Sequence, residues 1–182
     1  MKNLLIMSAI ILVAYGLRSF AGTFSDNEDV SQEVQTSAEE PITQQKPPLS
    51  REEKLQPLLD YAKSLEGKPY LAGGSRPDQG FDCSGFVSHV FAHSMNVVLP
   101  RSSRAMSDFG TSIPLDEVQV GDLLFFTGSD AQLGTVGHVA LVLDPSDGMA
   151  MIHASSRGVV IDKYQAMPYY LTRFLQARRV LP

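Results

Sequence analysis

Cysteine is almost absent: the 182 residues hold one, Cys83. Exported chains ordinarily pair their cysteines, so a single one excludes an intrachain disulfide framework. It leaves a buried apolar residue, an intermolecular bridge or a reactive thiol. Basic stretches are lacking too. Fifteen Lys and Arg, less Lys2, Arg18 and Lys46, leave twelve in residues 50–182; twenty Asp and Glu, less the six before residue 50, leave fourteen there. A nearly neutral domain without an Arg/Lys stripe has no electrostatic footprint for a phosphate backbone, so nucleic acid is excluded as a partner class. No apolar run reaches the roughly 20 residues that a membrane-spanning helix needs.

The longest such run, from about Leu4 to Leu17, follows Lys2 and is closed by Arg18 and the small residues Ser19, Ala21 and Gly22. This is the layout of a secretory signal peptide over 1–21, cleaved near Ala21, after which no stable membrane anchor remains. No cysteine follows the run, which excludes a lipid-modified one. The chain is therefore expected to be exported to the periplasm or cell envelope. Residues 22–49 are rich in Gln, Ser, Thr, Glu and Pro, with Asp26, Glu28, Asp29, Glu33, Glu39 and Glu40 against Lys46. Such a segment buries too little apolar surface to fold and reads as a disordered acidic linker. Residues 50–182 form one domain without internal repeats, and a monomer is expected.

Within that domain, Ser50 with Glu53 is a capping-box pattern, and Leu55, Leu58, Leu59, Ala62 and Leu65 recur at helical spacing up to Gly67. A first helix follows, with Pro57 as an irregularity, and then a Gly/Pro/Asp loop, "KPYLAGGSRPDQG". From Cys83 the apolar residues Phe86, Val87, Val90 and Phe91 fall at i+3, i+4, i+7 and i+8. Cys83 thus starts a second helix on its buried face, with Asp82 at the N-cap. A short helix is predicted over Ser103 to Phe109. After it, "DLLFFTG", "HVALVL", "MAMIHAS", "GVVID" and "RFLQARRV" read as about five strands. Helices first and strands later predict an α+β domain, with an antiparallel sheet packed on the Cys83 helix.

A thiol in the first turn of a helix meets unpaired N–H groups and the positive end of the helix dipole, which favour thiolate and reactivity. The Cys83 N–H is also placed to help hold an oxyanion. For a base there are four histidines. His89 and His93 flank or leave the buried helix face and read as surface residues; their i, i+4 spacing suits a metal, but no further ligand is apparent, so no metal site is assigned. His138 and His153 lie inside apolar strands, where a histidine is more often a satisfied core residue. Two of them on strands packed against a Cys83 helix suggest Cys83 as nucleophile, His138 as base and His153 on the far ring nitrogen of His138. Ser84 is the weaker nucleophile, because the Gly-x-Ser-x-Gly elbow is absent around it.

From "GKPYLAGG" through "GFDCSGFV", "LPRSS", "VGDLLFF", "GHVALVL" and "IHASS" to "RFLQARRVLP", these motifs stand in one order over about Leu58 to Leu181. In this the chain resembles the NlpC-type peptidoglycan endopeptidases, bacterial cysteine peptidases of papain-like fold. The resemblance implies the same nucleophile, base and third polar member: Cys83, His138 and His153. It further implies that Tyr70 sits beside the thiolate, that Asp82 and Ser84 bind the amino end or backbone of a substrate peptide, and that Ser103 lines the same cleft. Asp82 as an N-cap and Tyr70 as a core aromatic are the plain alternatives. The implied substrate is peptidoglycan or a released muropeptide, cut between γ-D-glutamate and a diamino acid, with neither metal nor cofactor. Cleavage of D-alanyl-diaminopimelate cross-links, or wall binding without catalysis, are the competing readings.

Overall fold

The computed structural model describes residues 48–182. The expected signal peptide and nearly all of the acidic linker lie outside the described residues.

Helix α1 (Arg51–Ser64) opens with both halves of a capping box: the Ser50 hydroxyl accepts from the Glu53 N–H and the Glu53 carboxylate accepts from the Ser50 N–H. It runs unbroken through Pro57, which sits exposed within it. The following loop is more ordered than its composition suggests. It carries a hairpin of two-residue strands, β1 (Ser75–Arg76) and β2 (Gly80–Phe81), and Tyr70 bridges to Phe81. Helix α2 (Cys83–Met95) starts at the predicted residue and ends on Asn96 in the left-handed conformation. Helix α3 (Ser103–Met106) is shorter than predicted, because its end tightens into turns before Gly110.

The remaining strands make one antiparallel sheet: β3 (Thr111–Ile113), β4 (Leu123–Thr127), β5 (Val136–Asp144), β6 (Ala150–Ser155), β7 (Gly158–Lys163) and β8 (Phe174–Arg179), in the order β3-β8-β4-β5-β6-β7. The count is therefore six rather than five. The additional strand, β3, is a three-residue edge piece, "TSI", too short and polar to show a period. A short helix α4 (Pro168–Leu171), also unpredicted, precedes β8.

Side-chain alternation sorts the core into two layers. Leu123, Phe125, Val139, Leu141, Ile152, Ala154 and Val159 face α1 and α2; Leu124, Phe126, Ala140, Val142, Met151 and Ala177 face the other way, under Tyr164 and Tyr170. Strand β4 is buried at every position because both faces are covered. That explains an unbroken apolar run in an antiparallel sheet, where alternation with polar residues is the rule.

The two ends of the domain meet at Asp122, whose side chain is 0% exposed. Its carboxylate accepts from Arg51 Nη2 at 3.1 Å, from Arg179 Nε and Nη2 at 2.9 and 2.8 Å, and from the Gln119 N–H at 2.8 Å. Arg51 also donates to the carbonyl oxygens of Val120 and Leu181, so one acid ties α1, the approach to β4, β8 and the final residues together. Removing one partner of a buried ion cluster strands the others without compensation. Asp122→Ala should therefore lower the unfolding free energy by about 3–5 kcal/mol in urea titrations, and a loss under about 0.5 kcal/mol, the usual range for surface changes, would show the cluster to be idle.

Candidate active site

The first turn of α2 is held from three sides. Asp82 caps it, accepting from the Gly85 N–H at 2.6 Å. Arg101, from the "LPRSS" segment, grips the same carboxylate with both terminal nitrogens, at 3.0 and 2.9 Å, and reaches the Ser84 hydroxyl at 3.0 Å and the carbonyl oxygens of Gly73 and Gly74. Gly85 permits the third contact: a β-carbon there would collide with the Gly74 carbonyl oxygen. This is a more specific reason for glycine in "DCSG" than an uncrowded turn. Burial opposes ionisation of Asp82, but the hydrogen bonds from Arg101, Gly85 and Ser84 outweigh it and hold the carboxyl below its usual range.

Cys83 is thereby presented, half-buried, to the start of β5. Its thiol donates toward the Gly137 carbonyl oxygen at 3.9 Å, so it is aimed at the residue before His138 rather than at the imidazole. Gly137 cannot carry a side chain, since its β-carbon would strike the backbone of Gly128 on the neighbouring segment. The helix N-terminus does act on the sulfur as expected, through the N–H groups of Ser84 and Cys83, joined by that of Val139. Burial is the larger effect, however, and with the nearby Asp82 charge it pushes the thiol up rather than down. The expectation of a lowered thiol pKa is corrected accordingly.

His138 and His153 project from β5 and β6 on the sheet face away from α2, the face of Phe126 and Tyr170. The rings of His138 and Tyr170 stack at 5.8 Å, and His153 meets Tyr170 edge-on at 5.2 Å. His138 Nε2 lies 3.0 Å from His153 Nδ1. The two strand histidines are thus hydrogen-bonded to each other. Burial, with a smaller contribution from the His153 charge, pushes His138 down to about 3. His153, fully buried, is also lowered by burial, against the pull of Asp162. Tyr170 is pushed up to about 12 by burial and neighbouring negative charge, so it stays a neutral phenol.

A cleft of about 560 Å³ opens on this constellation, with Tyr70, Gly137, His138, Arg157, Tyr169 and Tyr170 among its walls. Tyr70 stands exposed at the rim, its pKa raised by partial burial and then by the negative charges of Cys83 and Asp82. Ser84 is buried and engaged by Asp82 and Arg101. Ser103 is buried in the first turn of α3 and is not part of the cleft wall.

Away from the cleft, His89 is not the surface residue expected from the helical wheel. It is half-buried, with Nε2 at 2.8 Å from the Tyr61 hydroxyl, while His93 is exposed and stacks on Tyr61. Among the described residues no three His, Cys, Asp or Glu side chains are grouped to hold a metal ion.

Two polar residues at the site were not singled out from the sequence. Arg101 lies inside a motif that pointed to its neighbour Ser103. Asp162 closes "GVVID", and the signal for it was there: an acid at an alternate position of an apolar strand that follows a histidine strand by a tight turn.

Three comparisons place this architecture. The chain is 35% identical over 124 residues to the gamma-DL-glutamyl hydrolase of Bacillus subtilis, a match covering 68% of this chain and 29% of that protein. It is 33% identical over 125 residues to the murein DD-endopeptidase MepS/murein LD-carboxypeptidase of Escherichia coli K12, covering 68% and 62%. A crystal structure of an NlpC/P60 family protein from Bacillus cereus superposes with a TM-score of 0.62 at 35% identity, over 70% of this chain and 40% of that one. The model of the NlpC/P60 family matches residues 67–179, from just beyond α1 to the last residue of β8, and the chain belongs to that family.

Proposed function

We propose that the protein is an exported cysteine peptidase of the cell wall that hydrolyses the amide bond between γ-D-glutamate and a diamino acid in peptidoglycan stem peptides. The observation that carries the reading is the junction of α2 with β5. The one thiol of the chain rests against Gly137, and the next residue, His138, opens onto a cleft with its far nitrogen held by a second histidine. The B. subtilis relative is a gamma-DL-glutamyl hydrolase, which favours a γ-glutamyl amide as the bond cut.

In the proposed reaction the thiol swings from the Gly137 carbonyl toward His138, which takes its proton as the sulfur adds to the γ-glutamyl carbonyl carbon. The new oxyanion is met by the N–H of Cys83 in the open first turn of α2, where helical N–H groups lack partners within the helix. Collapse breaks the C–N bond. His138 returns the proton to the departing amine, leaving a thioester. Water, deprotonated by His138, then releases the acid and restores the thiol. Tyr70 stands where a peptide entering the cleft would pass. Asp82 and Ser84 serve here by fixing the nucleophile's turn, since Arg101 and the Gly85 N–H already occupy the Asp82 carboxylate.

The decisive experiment is turnover of a purified stem tetrapeptide and of sacculi, with products identified by mass spectrometry. Cys83→Ala and His138→Ala should each remove at least about 10³-fold of kcat, and activity retained in either would sink the mechanism. Release of γ-glutamyl-terminated dipeptide supports the proposed bond. Opening of D-alanyl-diaminopimelate cross-links without it would instead assign the specificity in the name of the E. coli relative.

A second test uses acidity. The base must be neutral, and burial pushes His138 down to about 3, so lowering the pH through the ordinary histidine range, about 6.5, should leave kcat/KM on its plateau. The acid limb should appear below pH 5. A limb centred near the ordinary value would show that the ring is solvated in the working enzyme.

A further inference from the structure

The polar chain does not stop at His153. On its far side, His153 Nε2 lies 3.0 Å from Asp162 Oδ2, and the same oxygen is paired with Arg157. Strands β6 and β7 bring this about. His153 is opposite Val160 in their register, so Asp162, two residues on, shares its face of the sheet. Arg157 comes from the turn between these strands and is 54% exposed, with the cleft on one side of it and Asp162 on the other. His153 is wholly buried, so no solvent competes for its ring nitrogens.

Each link in this chain decides which atom carries a hydrogen in the next. A carboxylate paired with a guanidinium has acceptors only, so His153 Nε2 must be the donor. In a neutral imidazole with Nε2 protonated, Nδ1 is an acceptor. The nitrogen facing it, His138 Nε2, must then carry its own hydrogen, and His138 Nδ1 is left bare. Nδ1 is the nitrogen that remains free to receive a proton from sulfur. With a donor or nothing at position 162, the opposite arrangement becomes equally good: His153 donates from Nδ1, His138 accepts at Nε2, and the base presents an N–H where it needs a lone pair.

We propose that Asp162 is a positioning residue that sets the tautomers of both histidines, with Arg157 holding its carboxylate in line. The inference rests on the proposed role of His138 as base. Asp162 touches neither substrate nor sulfur, so its effect travels through two hydrogen bonds and falls on kcat rather than on KM. Replacing it should cost roughly 100-fold in kcat, less than the approximately 10⁴-fold that a wrong tautomer costs when the carboxylate contacts the catalytic imidazole directly.

The test uses the full chain, labelled with ¹⁵N in histidine, at neutral pH. Long-range proton–nitrogen correlations should show His138 with a bare Nδ1 and a protonated Nε2. In Asp162→Asn, which conserves volume and also offers a donor, His138 should shift to the other tautomer or to a mixture; kcat on the stem tetrapeptide should fall with KM little changed. Asp162→Glu, which restores an acceptor, should recover much of both. An unfolding curve for each variant separates this from misfolding, and Arg157→Ala, altering only the exposed partner, should produce a weaker version of the same spectral change. An unchanged His138 tautomer in Asp162→Asn would overturn the inference even where Cys83→Ala and His138→Ala abolish turnover. Active His138→Ala protein would overturn the base assignment and with it the inference that Asp162 acts through that base.

Discussion

The clamp of Arg101 on Asp82 fixes where α2 begins, and the rest of the site is built outward from that point. An N-cap carboxylate alone contributes about 1 kcal/mol to a helix. Here the same group is held by two guanidinium nitrogens, one of which also donates to the carbonyl oxygens of Gly73 and Gly74, and the helix end becomes part of a loop network rather than a frayed terminus. The glycine at the third helical position lets the loop carbonyl of Gly74 approach closely. Cys83 therefore has its place along β5 set by backbone, and not by its own contacts. The proposed nucleophilic role requires this, since the side chain must stay free to rotate during the reaction.

The sheet supplies the other half of the site by alternation. Val139 and Leu141 carry the packing against the helices, which sends His138 to the opposite face, with the same alternation placing His153 and Asp162 beside it. A one-residue slip of β5 would bury His138 among the helix-side leucines and turn Val139 to the cleft. The hydrophobic core and the chemistry are thus specified by one register. The bulge between Phe126 and Thr127 leaves Gly137 out of the β4–β5 register, and its carbonyl oxygen is the one that the sulfur approaches.

Much of this was legible in the chain itself. The capping box at Ser50, the helix starting on Cys83 with Asp82 before it, and five of the six strands of the main sheet follow from period and turn chemistry, because those segments are long enough to show a period. The two-residue strands β1 and β2 and the edge strand β3 are too short to show one, and tertiary pairing alone makes them strands. Arg101 and Asp162 were missed for a related reason: a single charged residue in a loop or at a strand end looks solvated until the fold reveals what it faces. The direction of the thiol's shift was misjudged because a helix terminus is visible in a sequence while the depth of burial is not. Peptide alternation did carry further than proximity arguments, since it puts His153 and Asp162 on one face once the tight β6–β7 turn is accepted.

Burial acts on Cys83 and His138 in opposite senses, and together the two shifts keep the proton on sulfur in the resting site. An unpaired charge in such surroundings costs several kcal/mol, so a neutral thiol beside a neutral imidazole is the cheaper ground state. The proposed reaction must nevertheless pass through sulfur anion and imidazolium. The groups that stabilise each lie on different sides of β5. The N–H groups of Cys83, Ser84 and Val139 serve the sulfur from the helix side, whereas His153 backed by Asp162 serves the imidazolium from the other face. Fixed donors and a fixed carboxylate need no reorganisation as charge appears. A site of this kind trades a reactive resting thiolate for charge stabilisation that comes into play as the proton moves, and a thiol kept protonated between turnovers is less open to oxidation.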